Sequence, residues 1–204
     1  TANDGIICSG TSAALSVGAG TSYLWSNGAT TQSITVSPAA TTTYSVTVTG
    51  GSCAGTASRT ITVNPTPTAT AGSNSPVCVG ATLNLTSSGG ATYSWSGPGG
   101  WTSTLQNPTR TNATAAMAGT YTVTVTSAAG CTATATTDVE ISALPSAVAK
   151  ADPNPVCTGH FAQLFASGGV SYAWSGPNGF SSTQQNPGLG LAQSNMAGTY
   201  TVTV

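Results

Sequence analysis

From Gly119 to Thr126 the chain alternates strictly: Tyr121, Val123 and Val125 are apolar, and Thr120, Thr122, Thr124 and Thr126 carry hydroxyls. A period of two is the signature of a strand with one face buried and the other in water. The pattern recurs through Tyr44, Val46 and Val48, and again through Tyr200, Val202 and Val204; Ala81-Thr82-Leu83-Asn84-Leu85-Thr86 alternates in the same way. Short strands of this kind, punctuated by Gly, Pro and Asn, predict an all-β chain of two-sheet sandwiches. Asn27-Gly28, just after Trp25, is a two-residue hairpin signal and predicts that the Trp25 strand pairs with the next one.

The strands belong to a repeat. One constant step in numbering carries Cys78 to Cys157, Leu85 to Leu164, Tyr93 to Tyr172, Trp95 to Trp174, Trp101 to Phe180, Asn107-Pro108 to Asn186-Pro187, and Tyr121 to Tyr200. An earlier copy holds Cys8, Leu15, Tyr23 and Trp25 at a shorter constant step before Cys78, Leu85, Tyr93 and Trp95. Tyr44 lies further before Tyr121 than that step allows, so the second copy has seven extra residues between its Trp and the later Tyr. Pro65, Pro67 and Pro145 mark the joints. Proline fixes φ and no long Gly/Ser tract intervenes, so the connections are expected to be short and stiff and the modules to form a semi-extended rod. The expected domains are 1–65, 66–144 and 145–204, the third stopping before its final strand.

Modules this small have marginal cores, which a disulfide supplements in an oxidising compartment. Cys8 and Cys53 occupy matching places in the first copy, as do Cys78 and Cys131 in the second. The expected bridges are Cys8–Cys53 and Cys78–Cys131, each near one end of its sandwich, with the partner of Cys157 at place 210. Trp25, Trp95 and Trp174 each stand at the same distance after the first cysteine of their copy, and each follows a tyrosine by two. Their recurrence in every copy marks them, with Tyr44, Tyr121 and Tyr200, as core residues.

Only 3% of the residues are charged, against about 25% in an ordinary globular chain. The inventory is Asp4, Arg59, Arg110, Asp138, Glu140, Lys150 and Asp152, with His160 the single histidine and a formal net charge of -1. Nucleic-acid binding, which is built from many phosphate contacts, is excluded, and no cluster of acids, bases or ligands points to catalysis, a metal or a cofactor. No apolar run is long enough for a membrane-spanning helix, so membrane insertion is not expected. The 38 Thr and 26 Ser instead carry the solvation of the strand faces.

Two features remain as ligand candidates. Gly97-Pro98-Gly99-Gly100-Trp101 and Gly176-Pro177-Asn178-Gly179-Phe180 each set an aromatic side chain after a Gly/Pro loop. Trp101 and Phe180 would there either stack on a surface glycan or fold back over the sheet. Asp138, Glu140, Asp152 and Asn154 bracket the second joint and offer calcium-type oxygens, but the first joint has no counterpart.

The strings Tyr93-Ser94-Trp95-Ser96-Gly97-Pro98, Gln106-Asn107-Pro108 and Met117-Ala118-Gly119-Thr120-Tyr121-Thr122-Val123-Thr124-Val125 resemble the tandem immunoglobulin-like repeats of large cell-surface and secreted adhesin-type proteins of Bacteroidota. In such domains a tyrosine closes the corner before the penultimate strand through its hydroxyl, the place of Tyr121 and Tyr200 here. The resemblance covers essentially the whole chain. It implies tandem immunoglobulin-like β-sandwiches without catalytic residues, exported to the cell surface or beyond as stalk, adhesin or fibre. The implied partners are neighbouring repeats or other copies of the chain, with glycan binding or strand donation between copies as the alternatives.

Overall fold

The computed structural model describes residues 5–204, which leaves Asp4 outside the described residues. The chain divides into two compact units, Thr1–Ser142 and Ala143–Val204. The first unit holds two sandwiches with separate cores.

The first sandwich contains β1 (Ile6–Cys8), β2 (Ala13–Ser16), β3 (Ser22–Trp25), β4 (Ser33–Val36), β5 (Thr42–Gly50) and β6 (Cys53–Asn64). One sheet runs in the order β1-β6-β5-β3, and β2 pairs with β4 in the other. The Asn27-Gly28 turn forms, with Gly28 at φ 85° and its N–H donating to the Trp25 carbonyl. Its expected hairpin does not: β3 pairs with β5, and β4 crosses to the opposite sheet to pair with β2. The local turn chemistry is as expected, but Ile34 and Val36 bury their side chains only by facing the core from the other layer.

The second sandwich adds β7 (Thr70–Ser73), β8 (Val77–Cys78), β9 (Leu83–Ser88), β10 (Thr92–Gly97), β11 (Trp101–Ser103), β12 (Thr109–Arg110), β13 (Gly119–Thr126), β14 (Thr132–Val139) and β15 (Ile141–Ser142). Its sheets are β11-β10-β13-β14 and β12-β9-β7, with β8 parallel to β15 at one end. The registers divide the seven extra residues: four lie between β10 and β12, where β11 forms on the edge of β10, and three lie between β12 and β13. Tyr121, Val123 and Val125 are fully buried between the sheets with Leu83, Leu85 and Trp95, while the alternate threonines of β13 face outward. This is the alternation seen in the sequence, now with its faces assigned.

In the second unit, β16 (Val148–Asp152), β17 (Phe161–Ser167) and β20 (Gly188–Leu191) form one sheet, and β18 (Ala173–Ser175), β19 (Ser181–Ser182) and β21 (Thr201–Thr203) the other. Leu164, Ala166 and Trp174 are its buried centre. Val202, the counterpart of the fully buried Val123, is half-buried. The protein is all-β, a tandem of immunoglobulin-like sandwiches.

Candidate functional site

Three kinds of group remain after packing: the loop aromatics, the amides beside the tryptophans, and the cysteines.

Trp101 is half-buried and meets the buried Tyr121 edge-on, with ring centroids 5.6 Å apart. The Arg110 guanidinium lies 5.1 Å above the centre of the Trp101 ring and donates to the Tyr121 hydroxyl. That hydroxyl in turn donates to the Met117 carbonyl, 2.9 Å away, which closes the corner. The guanidinium therefore occupies one face of the indole. Phe180 repeats the edge contact on Tyr200 at 5.4 Å, and the Tyr200 hydroxyl donates to Met196. The counterpart of Arg110 is Leu189, so Phe180 sits in an apolar corner with Leu189, Met196 and Pro177. Both loops set their aromatic ring edge-on against the corner tyrosine of the sheet.

The core tryptophans do more than fill volume. Trp95 Nε1–H donates to the Gln106 carbonyl and Trp174 Nε1–H to that of Gln185, each at 3.3 Å, and Trp25 Nε1–H donates to the Thr31 carbonyl at 2.8 Å. The adjoining amides take the place of strand pairing. Gln106 Nε2 donates to the Ser87 carbonyl and Asn107 Oδ1 accepts from the Ser87 N–H; Gln185 and Asn186 do the same at Ala166. The Gln-Asn-Pro string is thus a staple that holds an irregular segment against β9 and β17, satisfying backbone groups no strand reaches. A third element escapes the sequence reading although its spacing repeats: Tyr23, Tyr93 and Tyr172 each donate their hydroxyl proton to the carbonyl of a glycine three residues earlier, Gly20, Gly90 and Gly169. A β-carbon on Gly90 would run into Val125 Cγ1 and lie 2.8 Å from the Thr126 carbonyl oxygen. Gly90→Ala is expected to destabilise the second sandwich by about 1–3 kcal/mol, the usual cost of overpacking, measured by urea denaturation.

The cysteines overturn both expected bridges. Cys8 is bonded to Cys131 with Cα atoms 5.6 Å apart, and Cys53, Cys78 and Cys157 are exposed free thiols. Strand direction gives the reason. Cys8 pairs in register with Asn64, the last residue of β6, whereas Cys53 is its first. Eleven residues of strand at about 3.3 Å each put Cys53 about 36 Å from that end, far beyond disulfide reach. Cys78 pairs with Ser142, eleven residues past Cys131, so the same separation rules out Cys78–Cys131. The two cysteines of one module lie at opposite poles. At the joint the opposite holds: the Asn64 carbonyl oxygen lies 3.9 Å from Cys131 Sγ, and the Ser9 N–H donates to that same carbonyl. A non-reducing tryptic digest of the denatured chain should therefore link peptide 1–59 to peptide 111–150. The alternative pairing would instead give a loop inside 1–59 and a link from 60–110 to 111–150.

The charged groups are dispersed. Asp138 accepts from the Thr120 hydroxyl at 2.6 Å, and Asp152 pairs with Lys150 at 3.0 Å on the open surface, a contact worth at most about 1 kcal/mol. Among the described residues no three His, Cys, Asp or Glu side chains gather as a metal cluster, and no helix is long and apolar enough to cross a membrane. His160 is exposed and contributes backbone bonds to the turn after Cys157. A cleft of about 240 Å³ opens between the sheets of the first sandwich, lined by Ala14, Ser16, Trp25, Tyr44, Ser58 and Arg59. It runs along β2, on the edge where β7 pairs with β9 in the second sandwich.

No protein-family model matches the sequence, and no curated protein matches it. Among solved structures, the chain is similar to an I-band fragment of titin (12% identity, TM-score 0.44, covering 97% of this chain and 88% of that one). It is also similar to three N-terminal domains of the highly immunogenic outer capsid protein of bacteriophage RB49 (17%, 0.39, 97% and 82%). A third likeness is to an amphioxus IgVJ-C2 molecule (18%, 0.34, 66% and 99%). The immunoglobulin-like assignment rests on the strand order and cores described above.

Proposed function

We propose that this chain is a non-enzymatic, extracellular segment of a bacterial surface protein of the Bacteroidota adhesin type, serving as a tension-bearing spacer in a stalk or fibre. The observation that carries the reading is the Cys8–Cys131 bridge across the joint between consecutive sandwiches. A disulfide forms and persists in an oxidising compartment outside the cytosol, and a bond from one module to the next secures their connection rather than the core of either. The composition fits the same role. Hydroxyl-rich strand faces solvate the chain with few charges, and its three Lys and Arg residues leave few tryptic sites. Its partners are then neighbouring repeats or further copies of itself.

Glycan arrays probed with the full chain and with Trp101→Ala test the reading. A spacer shows no saturable sugar binding in either form. Saturable binding by the full chain that Trp101→Ala abolishes would replace the spacer with a carbohydrate-binding accessory region. Removing the indole should also release the Arg110 guanidinium from its stack and cost about 1–2 kcal/mol of stability, read by thermal denaturation.

A further inference from the structure

We propose that Cys8–Cys131 is one rung of a ladder with an offset of one module. In this ladder the cysteine in the first turn of each sandwich bonds to the cysteine at the last hairpin of the sandwich that follows. The free thiols of Cys53, Cys78 and Cys157 are then unfilled halves of identical rungs, and the group each takes is the complementary cysteine of another sandwich of this class, met end to end.

The first-turn cysteines are presented alike in all three copies. The Cys8, Cys78 and Cys157 carbonyls accept from the N–H three residues on, at 3.0, 3.0 and 3.1 Å, and Gly10, Gly80 and Gly159 follow at φ 84°, 84° and 83°. The hairpin cysteines match as well: Cys53 opens β6, and Cys131 directly precedes β14. What separates them is the neighbour. Cys131, with the end of β6 against it, is 1% exposed, whereas Cys53 is exposed. The hairpin thiol is thus covered by the pole of an adjoining sandwich and by nothing in its own.

Pairing inside a module is closed by the length of β6 and of its counterpart, about 36 Å. Only first-turn to hairpin pairing reproduces the observed bond, so Cys53 requires a first-turn cysteine, and Cys78 and Cys157 require hairpin cysteines. The expectation that Cys157 bonds place 210 of its own module gives way to a hairpin cysteine in a different one. Each rung forms by thiol–disulfide exchange. Two thiols give up two protons and two electrons to a disulfide oxidant, which leaves as two thiols while one S–S bond forms in the protein.

The test uses a second copy of the full chain as the complementary sandwich and glutathione disulfide as the oxidant. The protein is oxidised at millimolar concentration, blocked with iodoacetamide, separated without reducing agent and digested with trypsin. The ladder predicts covalent oligomers in which peptide 1–59, through Cys53, is joined to 151–204 or to 60–110. It also predicts that Cys53→Ser lowers the oligomer yield about tenfold or more while leaving the Cys8–Cys131 link intact. Links between two copies of Cys53, or among Cys78 and Cys157, in random proportion would overturn it, as would a chain that stays monomeric, or an oligomer yield that Cys53→Ser leaves unchanged. Because the rule rests on joint geometry alone, this result is independent of whether the chain binds glycans or bears tension.

Discussion

Trp95→Ala should remove about 3–5 kcal/mol from the second sandwich, the range found when a large buried aromatic is cut to a methyl group. Trp95 is 1% exposed and packs with Leu83, Leu85, Tyr121, Val123 and Val125. Its loss opens a cavity at the centre of a core made by one small module, and it also strips the donor from the Gln106 carbonyl that begins the Gln-Asn staple. A module of this size has total stability of the same order as the loss, so the variant should sit close to its unfolding threshold at room temperature. Urea denaturation followed by near-ultraviolet circular dichroism would show one module melting early. Trp101→Ala is the control: that ring is half-buried at the rim, and its loss should cost far less. Equal losses from the two variants would mean that the core is not centred on Trp95.

The parts of the fold that can be read in the sequence are those carried by short spacing. A period of two tells which side of the Tyr121, Val123 and Val125 strand is buried, and the constant step from cysteine to tryptophan places the same core position three times. The tyrosine corner likewise needs only the Gly-x-Tyr string. What escapes is set by chain direction over longer distances. The Asn27-Gly28 turn forms, yet whether β4 continues its partner's sheet or crosses to the other depends on β2, about twenty residues before β4. The Trp101 loop leaves two outcomes open because the deciding group, Arg110, lies nine residues away on another strand. The cysteines match in position along the repeat, but matching position is not nearness. The length of the last strand holds the correction: a first cysteine beside that strand's end and a second at its start belong to opposite poles.

Pulling on the two ends of the chain should show how much of it the Cys8–Cys131 bridge removes from the path of force. Under oxidising conditions tension runs through the residues up to Cys8, crosses the bond to Cys131 and continues along β14 and β15. The loop between the two cysteines, which are 123 positions apart in the sequence, contains most of both sandwiches and is bypassed. Reducing the bond, or replacing Cys131 with serine, returns that loop to the path. At about 3.5 Å per extended residue the gain in contour length is about 430 Å in single-molecule stretching. Separate bridges Cys8–Cys53 and Cys78–Cys131 would release two loops instead, of about 160 and about 185 Å. The same substitution should cost up to about 5 kcal/mol in chemical denaturation, since closing a loop of this length takes that much conformational freedom from the unfolded chain. The thermodynamic and mechanical effects have one cause but different uses. The first holds the joint in place at rest, and the second keeps the strands from β2 to β13 out of the path of force, so that a stretched chain gives length only from the strands outside the bridge. An unchanged contour length on reduction would remove the mechanical basis of the spacer.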